Sequence, residues 1–464
     1  CIGNGASGRA KGLVVPGFQV PLENLQGNSV DSEEKSWSVP AAVQSVVSAL
    51  GFNKSCPQYT KAVVEEMYDL SYTAMDRLRN IVKMYDIDCD WIESGALEGS
   101  IHPMGDGDEG GEDDDGCKIL AAAQVNEIMG RPSDRNQTLY KWGEYDPSCA
   151  GVNPLALTIG LADAAEQWGV KIYEHVKVVM LEKTPQSEQQ PKRGKYVIST
   201  DQGRTILCDH VVLCTGASAL TNNVSRRLSD SFVPVYTWMA ATEPLHERCP
   251  LKNGIVDRVL LEHNAGNDTN KKDHPAPMCG DDHISLNYWR MNNKDEGRLL
   301  FGSLADTFSL PKWLISRRLS NALTEIYPQL NRVKFDNVWG GSLAFAINAM
   351  PLIGRDTDYD DIRDNVNAHD TDDKISITKG GVWYATGFAG HGIVPTALAG
   401  SLLANAILGV PNQQQWQLFQ AYFPPSWNGY PFSRIGAEIV LLFYNAWDRL
   451  GKKGAPLPPL PKLW

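Results

Sequence analysis

The sequence lacks the cysteine patterns that define several classes of small or metal-bound domain. Its nine cysteines are odd in number and widely spaced, and no two of them form a CxxC pair. A disulfide scaffold or a zinc ribbon is therefore disfavoured, and no metal site is predicted. Scattered reduced thiols fit an intracellular protein, with the mitochondrial and cytoplasmic compartments both left open.

The sequence also has no excess of positive charge and no long apolar run. It has 43 Lys and Arg residues against 55 Asp and Glu residues, a net charge of −12, whereas nucleic-acid binders usually show a basic excess. No stretch reaches the roughly 18 uninterrupted apolar residues of a membrane span, and residues 394–410 predict a buried helix instead. No basic region followed by an apolar one marks a signal peptide.

What the chain does have is the composition of an ordinary globular protein. Of its 464 residues, 42% are hydrophobic and 21% are charged, which excludes wholesale disorder, collagen and coiled coil. At roughly 150 residues per domain, this length predicts two or three domains, each large enough for a hydrophobic core.

Periodicity predicts an early helix followed by an α/β region. Apolar residues spaced by three and four indicate a long helix over residues 60–85. A second helix is expected to begin at Asn153, its N-cap, and to end at Gly169. The acidic, glycine-rich tract 105–116 predicts a solvated loop rather than an EF-hand. The other expected elements are strands over 170–173, 176–181, 196–200, 205–208, 211–214 and 299–303, a helix over 311–327, an inserted loop over 262–282 and a strand–turn–helix unit over 381–409.

The segment GNGASG, residues 3–8, matches the pattern GxGxxG but lacks the structural context of that motif. A dinucleotide-binding turn needs a strand before it and a helix after it. Only two residues precede this segment, and Pro16 interrupts the stretch that would have to be the helix. The glycines instead predict a backbone that passes close to a bulky group.

Two later segments have the form of ligand sites at the carboxyl edge of a sheet. The apolar run 211–214 ends in Thr215-Gly216, a position where α/β proteins bind nucleotides. The segment ATGFAGHGIVP, residues 385–395, places a glycine-rich turn before a helix, whose N–H groups and dipole favour an electron-rich or anionic group. His391 lies in this turn, and a ligand contact and a structural role are equally favoured for it.

These segments, in this order, resemble the D-amino-acid oxidase-like superfamily of FAD-dependent amine oxidoreductases, and most closely its gamma-glutamylputrescine oxidase-like branch. The similarity covers most of the chain. Each segment alone is a modest match, whereas the ordered set is specific. The matching segments are GASGRAKGLVVPGF, DHVVLCTGASA, VYTWMAATEPL, GRLLFGS, VWGGSLAFAINAMPLIGR and YATGFAGHGIVPTALAG.

The resemblance implies an α/β fold with a Rossmann-like domain that binds FAD and a substrate domain with a mixed or antiparallel sheet. Both domains would be discontinuous in sequence. The implied division is residues 1–48, 149–232 and 336–411 for the FAD-binding domain, 49–148 and 233–335 for the substrate domain, and 412–464 for a C-terminal helix and a proline-rich tail.

The resemblance also implies which residues contact FAD. No cysteine lies in residues 339–355, where some relatives attach FAD covalently, so the cofactor is expected to be noncovalent. The implied contacts are Ser7 and Arg9 at the pyrophosphate, Gly12 and Leu13 at the flavin, Val178 at the adenine, Thr215, Gly216 and Ala217 along the dinucleotide, Gly390, His391, Gly392, Ile393 and Val394 at the flavin pyrimidine, and Gly8, Gly354 and Gly387 as further contacts.

The implied chemistry is the oxidation of a primary or secondary amine, such as an amino acid or polyamine derivative. A neutral amine would lose hydride from its α-carbon to flavin N5, and oxygen or another acceptor would reoxidise the flavin. Tyr288, Arg290 and Asn348 are the expected substrate contacts, although a salt bridge would explain Arg290 equally well. Lys11 and His391 are the expected catalytic positions.

The chain departs from the family pattern at its beginning. Family members open with a βαβ unit that carries the GxGxxG turn, and about 30 residues of that unit are missing before Cys1. Three accounts stay open: the chain is processed or incomplete, another polypeptide supplies the unit, or the protein has abandoned FAD. Ala10-Lys11 also replaces the usual Asn-Gly, so Lys11 either changes the chemistry near the flavin or blocks it.

Two functions therefore stay open. The first is a flavoenzyme that acts on an amine, because the TGA and GFAGHG segments are intact. The alternative is a catalytically reduced or inactive oxidase-like subunit with a structural role in a larger assembly. For that alternative, an apolar helix near residues 439–447 and the proline-rich tail are candidate partner-binding segments. The expected partners are a small-molecule amine, no nucleic acid, and a protein that supplies or replaces the missing unit or belongs to a larger complex.

Overall fold

The structure, a computed structural model, describes most of the chain. The predicted acidic loop before residue 116, the helix near 439–447 and the proline-rich tail lie outside the described residues. The described residues are 2–18, 61–104, 116–131, 139–184, 195–218, 224–245, 255–257, 273–283, 287–292, 297–307, 309–346, 348, 350–359, 380–411, 413–421, 423–424 and 438.

The described residues form helices α1 to α8 and strands β1 to β18. The helices are α1 (Ala6–Arg9), α2 (Lys61–Met84), α3 (Ala122–Ile128), α4 (Pro154–Gln167), α5 (Arg226–Ser229), α6 (Lys312–Ile326), α7 (Ile393–Leu408) and α8 (Trp416–Ala421). The strands are β1 (Leu13–Val14), β2 (Ala96–Ser100), β3 (Lys118–Ala121), β4 (Trp142–Asp146), β5 (Ala150–Gly151), β6 (Val178–Lys183), β7 (Tyr196–Thr200), β8 (Thr205–Cys208), β9 (His210–Leu213), β10 (Phe232–Thr242), β11 (Ile255–Asp257), β12 (Asp273–Pro275), β13 (Met278–Asp281), β14 (Tyr288–Asn292), β15 (Arg298–Asp306), β16 (Phe335–Ala346), β17 (Leu352–Arg355) and β18 (Gly381–Thr386).

The largest sheet is mixed and has eight strands in the order β16-β10-β15-β14-β13-β2-β4-β3. Its strands pair antiparallel except β2 and β13, which are parallel. Side chains on a strand alternate between the two faces, and one face of this sheet carries apolar residues that pack with α6. The facing residues Leu97, Cys279, Trp289 and Phe301 belong to this core. The opposite face lies outside this core, although Met239 and Met278 on it are also buried.

A second core holds helices α2 and α7 and a short mixed sheet together. The sheet has the order β17-β18-β9, with β18 and β9 parallel. Helix α7 packs on α2, and both helices share one hydrophobic core with Val14 of β1. The boundary expected at residues 48/49 thus separates two segments, β1 and α2, that contribute to the same core.

Several sequence predictions are confirmed by the structure. The α/β class with a mixed sheet is observed, and the long helix is present as α2. Helix α4 begins as expected, because the Asn153 side chain accepts a hydrogen bond from the Ala156 N–H. It ends before Gly169, which has a positive φ of 84°. The hairpin β7–β8 has the predicted bounds.

Three predictions in the α/β region are wrong or incomplete. Residues 170–173 form no strand, and Val170 and Tyr173 are 52% and 66% exposed, because no described strand pairs with them. Strand β9 is buried only on one face, since Val211 is 8% exposed whereas Val212 is 41% exposed. The predicted loop 262–282 contains β12 and β13, which pair with β11 and with strands of the large sheet.

The first two corrections concern exposed segments. Strand β9 pairs with β18 on one side, and among the described strands nothing pairs with its other side. Exposed large apolar side chains also occur on α4, residues 170–173, β6, β8 and β9; they include Leu155, Ile159, Val170, Val179, Met180 and Val212. We call the unpaired edge of β9, with its exposed Val212, the open edge. No helix within the described ranges has the length and apolar character needed to cross a membrane.

Candidate functional site

The first element of the site is the short segment from α1 to β1. Strand β1 pairs antiparallel with β5, so that Leu13 faces Gly151. Gly12 precedes this strand with φ 80°, and a Cβ there would lie 1.9 Å from the Val152 carbonyl oxygen. Only glycine allows this close approach of two backbones. The prediction that the glycines of residues 3–8 let the backbone pass close to a bulky group holds at Gly3, where a Cβ would lie 2.4 Å from Leu155 Cδ1.

Arg9 anchors this segment to the large sheet. Its Nη1 donates to the Gly340 carbonyl oxygen at 3.0 Å, and its Nη2 donates to Asn4 Oδ1 at 3.0 Å. The Trp339 indole N–H in turn donates to the Arg9 carbonyl oxygen at 3.2 Å. The guanidinium is thus held between α1 and β16, and it remains exposed.

The second element is the glycine-rich turn between β18 and α7. Gly387 and Gly390 have φ values of 71° and 89°, and Gly392 caps α7 without a side-chain hydrogen bond. His391 reaches across to β1, with its Nε2 3.1 Å from the Val15 carbonyl oxygen. Burial is the main cause that lowers the pKa of His391 to about 4, and the nearby Lys11 lowers it further. His391 is therefore neutral at pH 7, with its proton on the Nε2 that donates to Val15.

The third element is the face of the large sheet opposite α6, which we call the open face. Strand pairing places one residue from each of seven strands in a single row across this face. The row lies on the face opposite the apolar face that packs with α6. Each member is adjacent in sequence to a residue of that core, and neighbouring side chains on a strand point to opposite faces. Its members in spatial order are Glu144, Glu98, Gly280, Tyr288, Gly302, Met239 and Trp339.

Tyr288 and Lys11 meet over the middle of this row. A Cβ at Gly302 would lie 2.0 Å from Tyr288 Cε2, so glycine is what allows the ring to lie across the neighbouring strand. The Lys11 Nζ lies 4.5 Å from the centroid of this ring, which is a cation–π distance. Burial lowers the pKa of Lys11, although the charge of Glu98 opposes that shift. Burial also raises the pKa of Tyr288 to about 12.

A small cavity joins Lys11 and Leu13 to the sheet, and Tyr288, Arg290 and Leu300 also line it. The Arg290 Nε finds no hydrogen-bond partner among the described residues. Burial lowers the pKa of Arg290, and the charge of Asp90 acts in the opposite direction. Four residues predicted from sequence, Lys11, Leu13, Tyr288 and Arg290, are therefore brought together here.

Glu98 is a site residue that the sequence analysis missed. It lies deep in the molecule, where burial, followed by the charges of Asp282 and Glu144, raises its pKa to about 7. Its side chain is nevertheless exposed, on the same face of the sheet as Tyr288 but outside the lining of the small cavity. We call the cavity and this adjoining stretch of the face the recess. The available signal was the alternation in the strand ALEGS, where Leu97 is buried and Glu98 must face the other side.

The other predicted residues lie at varied distances from this recess. Asn348 does not line the cavity, and its Oδ1 accepts a hydrogen bond from the Met350 N–H. Gly354 is in β17, where a Cβ would lie 2.7 Å from the Tyr384 hydroxyl. Val178 pairs with Thr200 in the β6–β7 ladder. Their roles toward substrate or cofactor stay predictions.

The remaining predicted residues follow strand β9 and helix α1. Gly216 has φ 52°, and a Cβ there would meet no heavy atom within 4 Å. Thr215 precedes the short 3-10 turn Gly216–Ser218, which contains Ala217. Ser7 is exposed on α1. Gly8 lies against Gly3, so that a Cβ at Gly8 would be 2.0 Å from the Gly3 carbonyl oxygen. The Gly216 turn is therefore open on its Cβ side.

These elements suit an FAD cofactor. The uncapped first turn of α7 leaves backbone N–H groups for an electron-rich ring edge. The Gly12–Leu13 backbone and the 387–392 turn are joined through His391 and Val15, which places two glycine-rich backbones side by side. Together with the open turn at Gly216, they provide the close-approach surfaces that a flavin and its dinucleotide need.

Comparison with known proteins identifies the family. A family model described as FAD dependent oxidoreductase (DAO) matches residues 2–406. The probable oxidoreductase OrdL of Haemophilus influenzae is 26% identical over 410 residues, which cover 86% of this chain and 81% of that protein. The gamma-glutamylputrescine oxidoreductase of Escherichia coli is 26% identical over 463 residues, which cover 97% of this chain and 86% of that protein.

Solved structures show the same fold. The L-proline dehydrogenase of P. horikoshii superposes with a TM-score of 0.52 at 16% identity, over 76% of this chain and 83% of that chain. The glycine oxidase of Geobacillus kaustophilus superposes with a TM-score of 0.52 at 17% identity, over 88% and 85%. At such identities the likeness concerns the fold alone.

Proposed function

Since this chain belongs to the FAD-dependent oxidoreductase family, we propose that it oxidises a primary or secondary amine with noncovalently bound FAD. The observation that carries the proposal is the meeting of Lys11, Tyr288 and Arg290 beside the His391 turn. This recess lies between the predicted flavin contacts and the open face of the large sheet. The similarity to gamma-glutamylputrescine oxidoreductase supports an amine as the substrate class.

The proposed cofactor contacts are those implied by the sequence. Gly12, Leu13 and the first turn of α7 would hold the flavin ring, and the Gly216 turn would lie along the dinucleotide. The chemistry that FAD supplies when bound is the acceptance of hydride at N5 and reoxidation by oxygen or another acceptor. The protein must bind the amine, orient it and remove its extra proton.

Lys11 is the proposed proton acceptor for the substrate ammonium. Its Nζ is held over the Tyr288 ring in the recess, and burial lowers its pKa. A lysine with a lowered pKa carries a neutral amine more often than an ordinary lysine does, and so it can take a proton near neutral pH. His391 positions the segment around Lys11 through its bond to Val15.

The open edge supports a second proposal, about a protein partner. An unpaired strand edge flanked by exposed apolar side chains is a pairing site for another strand. We propose that a β-strand of another polypeptide pairs with the open edge of β9 and completes the dinucleotide side. Hydrogen exchange of the β9 amides tests this: they should exchange slowly in the protein as isolated from its source and fast in the separate chain. Equal exchange in both would contradict it.

The alternative function, an inactive oxidase-like subunit of an assembly, is distinguished by one experiment. The visible absorption spectrum of the purified native protein is recorded, and then that of the supernatant after denaturation. A flavin band released into solution, followed by peroxide formation with an amine, supports the enzyme. A colourless protein that takes up no added FAD would overturn the enzyme and favour the subunit.

A further inference from the structure

We propose that Glu98 determines substrate specificity by binding a second positively charged nitrogen of the amine substrate, so that the preferred substrates are diamines or longer polyamine-like dications. This inference rests on the proposed amine oxidation and names the substrate class of the same recess. It assigns the reacting nitrogen to the Lys11 end and the second nitrogen to the Glu98 end.

The first argument is the geometry of the row across the sheet. Glu98 lies opposite Gly280, and Gly280 lies opposite Tyr288. Glu98 and Tyr288 are therefore two strands apart, which at about 4.8 Å per strand separates their backbones by about 10 Å. A Cβ at Gly280 would meet only the Asn287 carbonyl oxygen, at 3.6 Å. The floor between the carboxylate and the ring is thus open.

The second argument is that the Glu98 carboxylate is available. Among the described residues, it accepts no hydrogen bond and forms no ion pair. Its acidic neighbour Asp282 differs, because its two oxygens accept from the Ser100 hydroxyl and the Ile101 N–H at 2.5 and 2.9 Å. Glu98 lies deep in the molecule and yet faces open space, which is the situation of a group that binds a ligand rather than one that holds the fold.

The third argument is that the recess already accommodates an alkylamine. The aminoalkyl side chain of Lys11 lies over the Tyr288 ring, and the charge of Glu98 acts on its amino group. The two groups form no ion pair within the described chain, so the space between them is not closed. A substrate that bridges this space would place one nitrogen beside each group.

Charge decides which nitrogen goes where. A carboxylate stabilises the protonated form of an amine, whereas hydride loss requires the neutral form. Glu98 would therefore hinder reaction at a nitrogen bound to it. Lys11, a basic group in a desolvated position, has the opposite effect and favours the neutral amine at its own end. A monoamine can use only the Lys11 end, and a dication uses both.

The test compares a diamine with a matched monoamine. Wild type, Glu98→Gln and the control Glu182→Gln, an exposed glutamate of β6, are assayed as holoenzymes with 1,4-diaminobutane and butylamine. We expect Glu98→Gln to reduce the ratio of kcat/KM for the diamine to that for the monoamine at least tenfold, mainly through the KM of the diamine. Glu182→Gln should keep the wild-type ratio, and Glu98→Asp should retain part of it. An unchanged ratio in Glu98→Gln would overturn the inference.

A binding measurement keeps this inference separate from the proposed function. Calorimetry of 1,4-diaminobutane binding is performed in buffers of different ionisation enthalpy near pH 7. Because the pKa of Glu98 is about 7, a bound ammonium should displace its proton, and Glu98→Gln should abolish that proton release and weaken binding. If no amine is oxidised but this signal is present, the oxidase proposal fails and the Glu98 site stands. If amines are oxidised and the signal is absent, the Glu98 site fails alone.

Discussion

The two sides of the predicted flavin site differ in how completely the described chain builds them. On the recess side, strand pairing fixes Glu98 and Tyr288, Lys11 lies over the Tyr288 ring, and the face behind them is filled by the core around α6. On the dinucleotide side, β9 has an unpaired edge and its Val212 face is exposed. The described residues therefore organise the recess side, whereas on the dinucleotide side they leave one edge of β9 unpaired.

The largest expected effect concerns Gly12, on the recess side. Gly12→Ala combines a positive φ with a contact of 1.9 Å to the Val152 carbonyl oxygen, and strand β1 would have to move. We expect a loss of about 3–5 kcal/mol in the free energy of unfolding, measured by urea denaturation. Gly203→Ala is the matched control, because Gly203 has φ 72° but no heavy atom near its Cβ position. It should cost only about 1–2 kcal/mol, and equal losses would show that β1 is not tightly held.

The second prediction compares the two faces of β9. Val211 is packed and Val212 is exposed in the same strand, so substitution by alanine changes strand propensity equally at both positions. Val211→Ala should cost about 2 kcal/mol in urea denaturation, and Val212→Ala should stay within about 0.5 kcal/mol. Similar losses at both positions would mean that the open edge is covered within this chain.

Local signals in the sequence account for the elements that were predicted well. Asn153 and Gly169 mark both ends of α4 because capping depends only on neighbouring residues. The turn between β7 and β8 fixes that hairpin for the same reason. The resemblance, rather than periodicity, indicated Lys11, Tyr288 and Arg290, and the cavity brings these together.

The misses have a common physical origin in long-range pairing. Residues 170–173 have a strand-like sequence, but a strand forms only when a partner supplies hydrogen bonds, and the described chain offers none. Glu98 is assigned to the site by its pairing with Gly280, which lies 182 positions later in the chain. No local pattern reports such a pairing, although the alternation around Leu97 shows that Glu98 and Leu97 face opposite sides.

The third prediction concerns His391, which joins the glycine turn to β1. Its pKa falls from an ordinary 6.5 to about 4 on folding, so the unfolded chain binds more protons between these values. The free energy of unfolding should therefore decrease as pH falls from about 6.5 to 4. In His391→Gln this position does not titrate, so the melting temperature should decrease less over this pH range than in wild type. An unchanged slope would show that His391 is accessible to protons in the folded state.

The smallest expected effect is at Glu98, where the change of stability with pH has the opposite sign to that expected from His391. The pKa of this carboxyl is raised from 4.5 to about 7 on folding, so the folded chain binds more protons between these values, and stability decreases as pH rises through them. Glu98→Gln should therefore melt at the same temperature as wild type near pH 4 and slightly higher above pH 7. The increase should be modest, because the side chain faces solvent in the recess and its charge is screened. Glu182→Gln, at an exposed position, should follow wild type throughout. If Glu98→Gln instead melts at a lower temperature than wild type above pH 7, the Glu98 carboxylate stabilises the fold. Its role on the recess side would then be structural and not the binding of a ligand.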